Sequence, residues 1–106
     1  MAQHRFTLTG PLARAARALA GVSVATTASA AHLTKREVRD FEKSLNSLTP
    51  EQTAALQAAL ESLGAFFIAD GANGRGAGVR LKFSESKARR VESWEDEGGL
   101  AAEDDV

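Results

Sequence analysis

Two helix-start signatures, at Thr34 and Thr49, constrain this chain more than anything else in it. Thr34 followed by Glu37 is a T-x-x-E capping box, in which a hydroxyl and a carboxylate each satisfy one of the backbone N–H groups that a helix start leaves without a partner. Thr49-Pro50-Glu51-Gln52 repeats the device and adds a proline at the first helical position, where its missing donor is not needed. The spacing predicts a helix over 35–44 and another over 50–63, the latter closed by Gly64. Upstream, Gly10-Pro11 opens a helix that runs to about Ala20 and stops at Gly21. Ser23 caps a short helix from Val24 to Ala31. Helices shorter than about 12–15 residues are marginal alone in water, so these four must support one another. The apolar spacings are Leu12, Ala16 and Leu19 in the first helix and Thr53, Leu56, Leu60 and Leu63 in the fourth, each read as a buried face.

After Gly64 the period changes. Phe66-Phe67-Ile68-Ala69 reads as a strand, and Val79, Leu81 and Phe83 alternate with Arg80 and Lys82 as a half-buried one. The glycine-rich segment from Asp70 to Ala77 is expected to be a mobile hairpin connection. From Glu95 onward the chain is acidic, poor in large apolar residues, and expected to be disordered. Trp94 sits either against the hairpin or at a partner surface. The expected fold is therefore mainly α: a four-helix domain over 8–64, a β-hairpin extension over 65–84 and an acidic tail over 85–106.

At 106 residues the chain suits one small domain, not a multidomain enzyme. The absence of cysteine excludes thiol chemistry, disulfides and Cys-type zinc sites. His4 and His32 are far apart and lack partners at metal spacing, so no metal is expected. No apolar run reaches the ~20 residues that cross a bilayer, and no membrane association is expected. Residues 1–36 contain no acid, and Ala28-Ser29-Ala30 imitates a leader-peptide cleavage site, which would put a mature N-terminus near Ala31. The apolar stretch before it is short and broken by Gly21 and Ser23, and the helical reading uses the same residues better, with Arg14 and Arg17 facing outward. A cytoplasmic, nucleoid-associated protein is expected.

The net charge of −1 conceals a division. Through Val91 there are 13 Lys and Arg against seven Asp and Glu, a net of +6; Glu92 to Val106 carries seven acids and no base. Such a split points to a polyanionic partner for the body beside a solvated acidic terminus, although both halves also serve solubility. At about 100° per residue, with Lys35 at zero, Arg36 falls near 100°, Arg39 near 40° and Lys43 near 80°, while Val38, Phe41 and Leu45 fall between about 240° and 300°. A basic stripe is most often just a solvated helix face, and Glu37, Asp40 and Glu42 dilute this one. It gains meaning from the segment before it: residues 24–43 resemble a helix-turn-helix, with Ala28 at the close approach of two helices, Leu33 in the turn, and Val38 and Phe41 on the packing side.

With these residues in view, the chain resembles the Xre, or lambda-repressor-like (Cro-type), family of helix-turn-helix transcriptional regulators. "GPLARAARALAGVS" is similar to the family's first helix and cap, and "LTKREVRDFEKS" to its turn and recognition helix. "LTPEQTAALQAALESLGAFFIADGANGRGAGVRLK" is similar to the ending of a compact subgroup with a C-terminal hairpin, so the likeness spans roughly residues 8 to 83. It implies a lambda-repressor-like domain that binds double-stranded DNA, with Thr34, Lys35, Arg36 and Arg39 facing the groove and Ser23 contacting a phosphate. Lys43 joins this set from the basic stripe. Three positions depart from the family: Val24 stands where a glutamine is usual, Thr27 where a leucine packs, and His32 where a glycine makes the turn. His32 is expected either to take a left-handed conformation at some cost or to alter the turn.

Other motifs fail. Gly71, Gly74, Gly76 and Gly78 form no dinucleotide or phosphate-loop pattern, so no cofactor is expected. Glu51 and Glu61 are solvent-side helix residues, and Ser23, Ser84 and Ser86 lack a base, so no catalytic site is expected. The leading expectation is a sequence-specific DNA-binding regulator, such as a repressor, acting as a homodimer, with the hairpin edge as one candidate dimer surface. The alternative is a helix-turn-helix-derived protein-interaction module, antitoxin-like or an assembly partner, that has lost strong DNA binding and meets a protein partner through the hairpin or the acidic tail.

Overall fold

The structure is a computed structural model, and it describes residues 6–83. The expected acidic tail, the end of the hairpin extension and Trp94 lie outside those residues. The order is α1 (Gly10–Ala20), α2 (Val24–Ala31), α3 (Lys35–Glu42), α4 (Pro50–Ser62), β1 (Ala65–Ile68) and β2 (Gly78–Leu81). This is the mainly helical arrangement with a C-terminal hairpin that the sequence implies.

Each helix begins where its cap dictates. The side chains of Thr9, Ser23, Thr34 and Thr49 accept from the N–H of the third residue on, and both capping boxes are complete. The ends are equally local. Gly21 takes a left-handed conformation, with its N–H on the carbonyl of Ala18 and that of Val22 on the carbonyl of Arg17. His32 does the same at φ 60°, ψ 41°, with its N–H on Ser29 and that of Leu33 on Ala28. A non-glycine residue thus performs the turn, and of the two expectations for His32 the left-handed one holds.

Helix α3 is shorter than the expected 35–44. Ser44 is left-handed at φ 61°, and the N–H of Leu45 returns to the carbonyl of Asp40, which closes the helix. Leu45 therefore leaves the apolar face to which helical periodicity assigns it and is exposed.

The core consists of Leu8, Ala13, Ala16, Ala28, Ala31, Val38, Phe41, Leu56, Ala59, Leu60 and Ala65. Of the expected α1 stripe only Ala16 is buried; Leu12 is half-buried and Leu19 is exposed. The buried face is instead Gly10, Ala13 and Ala16, because α1 packs against α3 and the hairpin at a distance that only small residues allow. Gly10 is the limiting case. A Cβ there would collide with the carbonyl oxygen of Phe41 and stand 2.9 Å from that of Glu42, so α1 crosses the last turn of α3 backbone to backbone. In α4, Leu56 and Leu60 are buried, with Thr53 and Leu63 half-buried on the same side.

Strands β1 and β2 pair antiparallel, Ala65 with Leu81, Phe66 with Arg80, Phe67 with Val79 and Ile68 with Gly78. The first strand begins and ends one residue earlier than the alternation suggests, and Phe83 lies beyond the second and is exposed. One face places Ala65, Phe67 and Val79 against the helices; Phe67 meets the ring of Phe6 with centroids 4.8 Å apart. The other face exposes Phe66 and Ile68, with the Arg80 guanidinium 5.2 Å from the Phe66 ring. The connection holds an Asn73-Gly74 turn, both residues at positive φ, closed by Arg75 N–H on the Ala72 carbonyl.

Candidate nucleic-acid interface

Helix α3 presents two chemically opposite sides. Val38 and Phe41 are buried, whereas Lys35, Arg36, Arg39 and Lys43 are all exposed. The four expected cations are thus on the solvent side, and of the expected apolar face Val38 and Phe41 are buried while Leu45 is not. Ser23 and Thr34 are exposed as well, and each hydroxyl accepts the N–H that starts its helix. Ser23 also donates to the Thr26 hydroxyl.

The three-residue turn His32–Thr34 sets α3 against α2, and α2 rests on α4. Thr27 is buried in that packing and donates its hydroxyl hydrogen to the Ser23 carbonyl, so the polar residue at a packing position is satisfied within its own helix. No buried side-chain polar atom among the described residues lacks a partner.

The end of α3 is joined to α1 by a pair the charge pattern alone does not reveal. Arg17 was expected to face outward, and Glu42 to dilute the basic stripe. Instead Arg17 Nε and Nη2 donate to the two oxygens of Glu42 at 2.8 and 3.1 Å, and Nη1 donates to the Val22 carbonyl at 3.2 Å. The Glu42 side chain is only 6% exposed. Arg17 lies on the small-residue side of α1, within about 40° of both Gly10 and Ala13 on the helical wheel, which is why it points inward. Its hydrogen bonds to Glu42 raise its pKa above the ordinary arginine value against the opposing effect of burial, so the guanidinium is always charged. The pair ties α1 to the end of α3.

The other two acids of α3 are also engaged. Glu37 accepts from the Thr34 N–H at 2.9 Å and from Gln52 Nε2 at 3.4 Å. Asp40 accepts from Asn46 Nδ2 at 3.0 Å and lies 3.8 Å from Arg36 Nε. These groups line an open cleft of about 350 Å³ between α3, the 46–48 segment and α4. Arg36 and Thr34 therefore border this mixed-charge side, while Arg39 and Lys43 border a second cleft of about 200 Å³ with Arg14, Arg17, Val24 and Glu42. Arg14 is the cation missing from the expected site. It joins α1 to the basic surface of α3, a proximity that no reading of one helix at a time detects.

Among the described residues, Arg14, Lys35, Arg39 and Lys43 make no ion pair. The described residues contain no cluster of ligands able to hold a metal ion, and no described helix is long and apolar enough to cross a membrane. No protein-family model matches the chain, and none of the curated proteins is significantly similar to it.

Proposed function

We propose that this chain is a non-enzymatic, sequence-specific DNA-binding transcriptional regulator of the helix-turn-helix type, with residues 24–43 as the motif and α3, Lys35–Glu42, entering the major groove. The observation that carries the reading is the cationic side of α3, with Lys35, Arg39 and Lys43 exposed and without an ion pair among the described residues, opposite a buried Val38–Phe41 face. A helix about 10–12 Å across fits a major groove about 12 Å wide, so side chains on that face reach base edges while their neighbours reach phosphates. Lys35 and Arg39 are the base-reading candidates. Thr34, Arg36 and Lys43 flank them, Arg14 extends the backbone contacts, and Ser23 offers one at the start of α2. The resemblance to Xre-type regulators supports the same assignment. The rigid seat provided by Arg17 and Glu42 suits a helix whose orientation has to be fixed before it meets a partner.

Selection of bound sequences from a randomised duplex pool, followed by fluorescence anisotropy, tests the reading. On the selected site Arg39→Ala costs about 1–3 kcal/mol if the guanidinium makes a bidentate base contact. Affinity falls with salt at a log–log slope of about −0.9 per phosphate contacted. Feeble binding to every duplex, with no salt dependence, refutes the proposal and leaves a protein-interaction module in its place.

One short recognition helix supplies little affinity, so we infer a homodimer on two half-sites about one helical turn apart. The outward hairpin face, with Phe66 and Ile68 exposed, is the candidate dimer surface. Light scattering coupled to size exclusion tests this: a monomer at micromolar concentration with the selected DNA present overturns it.

A further inference from the structure

We propose that residues 92–106 of this same chain dock on the Lys35–Arg39–Lys43 face, so that an internal polyanion occupies the surface until an external one displaces it. The inference deepens the DNA-binding reading, which supplies the identity of the displacing partner.

The face is chemically unfinished. Arg14, Lys35, Arg39 and Lys43 have no carboxylate partner among the described residues, because all three acids on α3 are committed elsewhere: Glu42 to Arg17, Glu37 to the cap and Gln52, Asp40 to Asn46 and Arg36. The complementary charge exists in the same chain. Glu92, Glu95, Asp96, Glu97, Glu103, Asp104 and Asp105 lie in a segment without a single base, and the cations nearest in sequence, Lys87, Arg89 and Arg90, are three against these seven acids. The hairpin is a poorer seat: Arg80 lies over the Phe66 ring, and the remaining cations, Arg75 and Lys82, belong to separate ends of it.

Reach is sufficient. Helix α1 packs on both β2 and α3, so the route from the end of the hairpin to the face crosses one helix. The 23 residues after Phe83 extend to about 75 Å at ~3.3 Å each, against a longest molecular dimension of 45 Å. A single exposed ion pair is nearly worthless in water. Several together, tethered at an effective concentration in the millimolar range, form a competent intramolecular ligand. Such contacts weaken as salt shortens the screening length from about 10 Å at 0.1 M to about 3 Å at 1 M.

The test uses the full chain. Because it has no cysteine, Ser93→Cys gives a unique attachment point for a nitroxide label. Proton–nitrogen NMR at low salt is expected to show paramagnetic broadening of the Lys35, Arg39 and Lys43 amides. That broadening disappears at about 1 M salt, and also when the seven acids are changed to their amides (Glu92→Gln, Glu95→Gln, Asp96→Asn, Glu97→Gln, Glu103→Gln, Asp104→Asn, Asp105→Asn). Broadening that is absent, or centred on Arg75, Arg80 and Lys82, overturns the proposal whatever the protein does with DNA. A second arm measures binding of a random-sequence duplex. If about nine-tenths of the faces are occupied, the amide-substituted chain binds about tenfold tighter than the native chain. Broadening on α3 without duplex binding by either chain keeps the internal contact and refutes the DNA reading alone; duplex binding that is equal for both chains overturns the shielding.

Discussion

Removing the Arg17 guanidinium is expected to destabilise the fold far more than removing the exposed Arg39 guanidinium one turn away from Glu42's end of α3. Arg17→Ala deletes three hydrogen bonds, two to Glu42 and one to Val22, and leaves a carboxylate that is 6% exposed without its counter-charge. Two unit charges about 4 Å apart attract by about 4 kcal/mol at an effective dielectric constant of 20. Stranding one member of a buried pair costs about 3–5 kcal/mol. The Arg17 side chain keeps 23% of its exposure, so water relieves part of this and the lower end, about 3 kcal/mol, applies. With a urea m-value of about 1 kcal/mol/M for a chain of this size, the midpoint falls by about 3 M, a large share of the stability of a small domain. Arg39→Ala, by contrast, is expected to stay within about 0.5 kcal/mol of the parent. The double change Arg17→Leu with Glu42→Leu recovers most of the loss, because it removes the desolvated charge together with its partner. Urea titrations followed by circular dichroism check all three. Equal, small losses for Arg17→Ala and Arg39→Ala, or a double variant no better than Arg17→Ala, would refute the account of how α1 holds α3.

Gly10→Ala gains about 1 kcal/mol of helix propensity yet is expected to be destabilising overall by about 1–2 kcal/mol, since the new methyl meets backbone carbonyls of Phe41 and Glu42 that cannot rotate aside. Calorimetry showing a raised Tm contradicts the close crossing of α1 over α3. His32→Gly is expected to stabilise the chain by about 0.5–1 kcal/mol, because a left-handed residue with φ 60° loses its side-chain crowding. An unchanged or lower urea midpoint argues against strain at that turn.

Helix boundaries were legible because each depends on atoms within a few residues of one another. Thr34 with Glu37 and Thr49 with Gln52 declare their capping boxes from spacing alone. The hairpin follows from the change of period after Gly64, and the exposed cations of α3 follow from the wheel that buries Val38 and Phe41. Leu45 shows the limit of that method: periodicity carries the helix onward, but the left-handed Ser44 ends it. A signal for Glu42 did exist, since it sits about 40° from Val38 on the wheel, at the margin of the apolar face.

By itself, then, the sequence determined where the helices start, which side of α3 is greasy and where the positive and negative charges reside along the chain, all consequences of local hydrogen bonding and short periods. Only the tertiary structure decided that α1 buries Gly10, Ala13 and Ala16 in preference to Leu12 and Leu19, that Arg17 turns inward to Glu42, and that Arg14 joins the basic surface. Those outcomes depend on which helix crosses which and at what separation. That distance is set by the backbone-to-backbone contact at Gly10, between groups some thirty residues apart in the chain, and it has no signature in the spacing of any single helix.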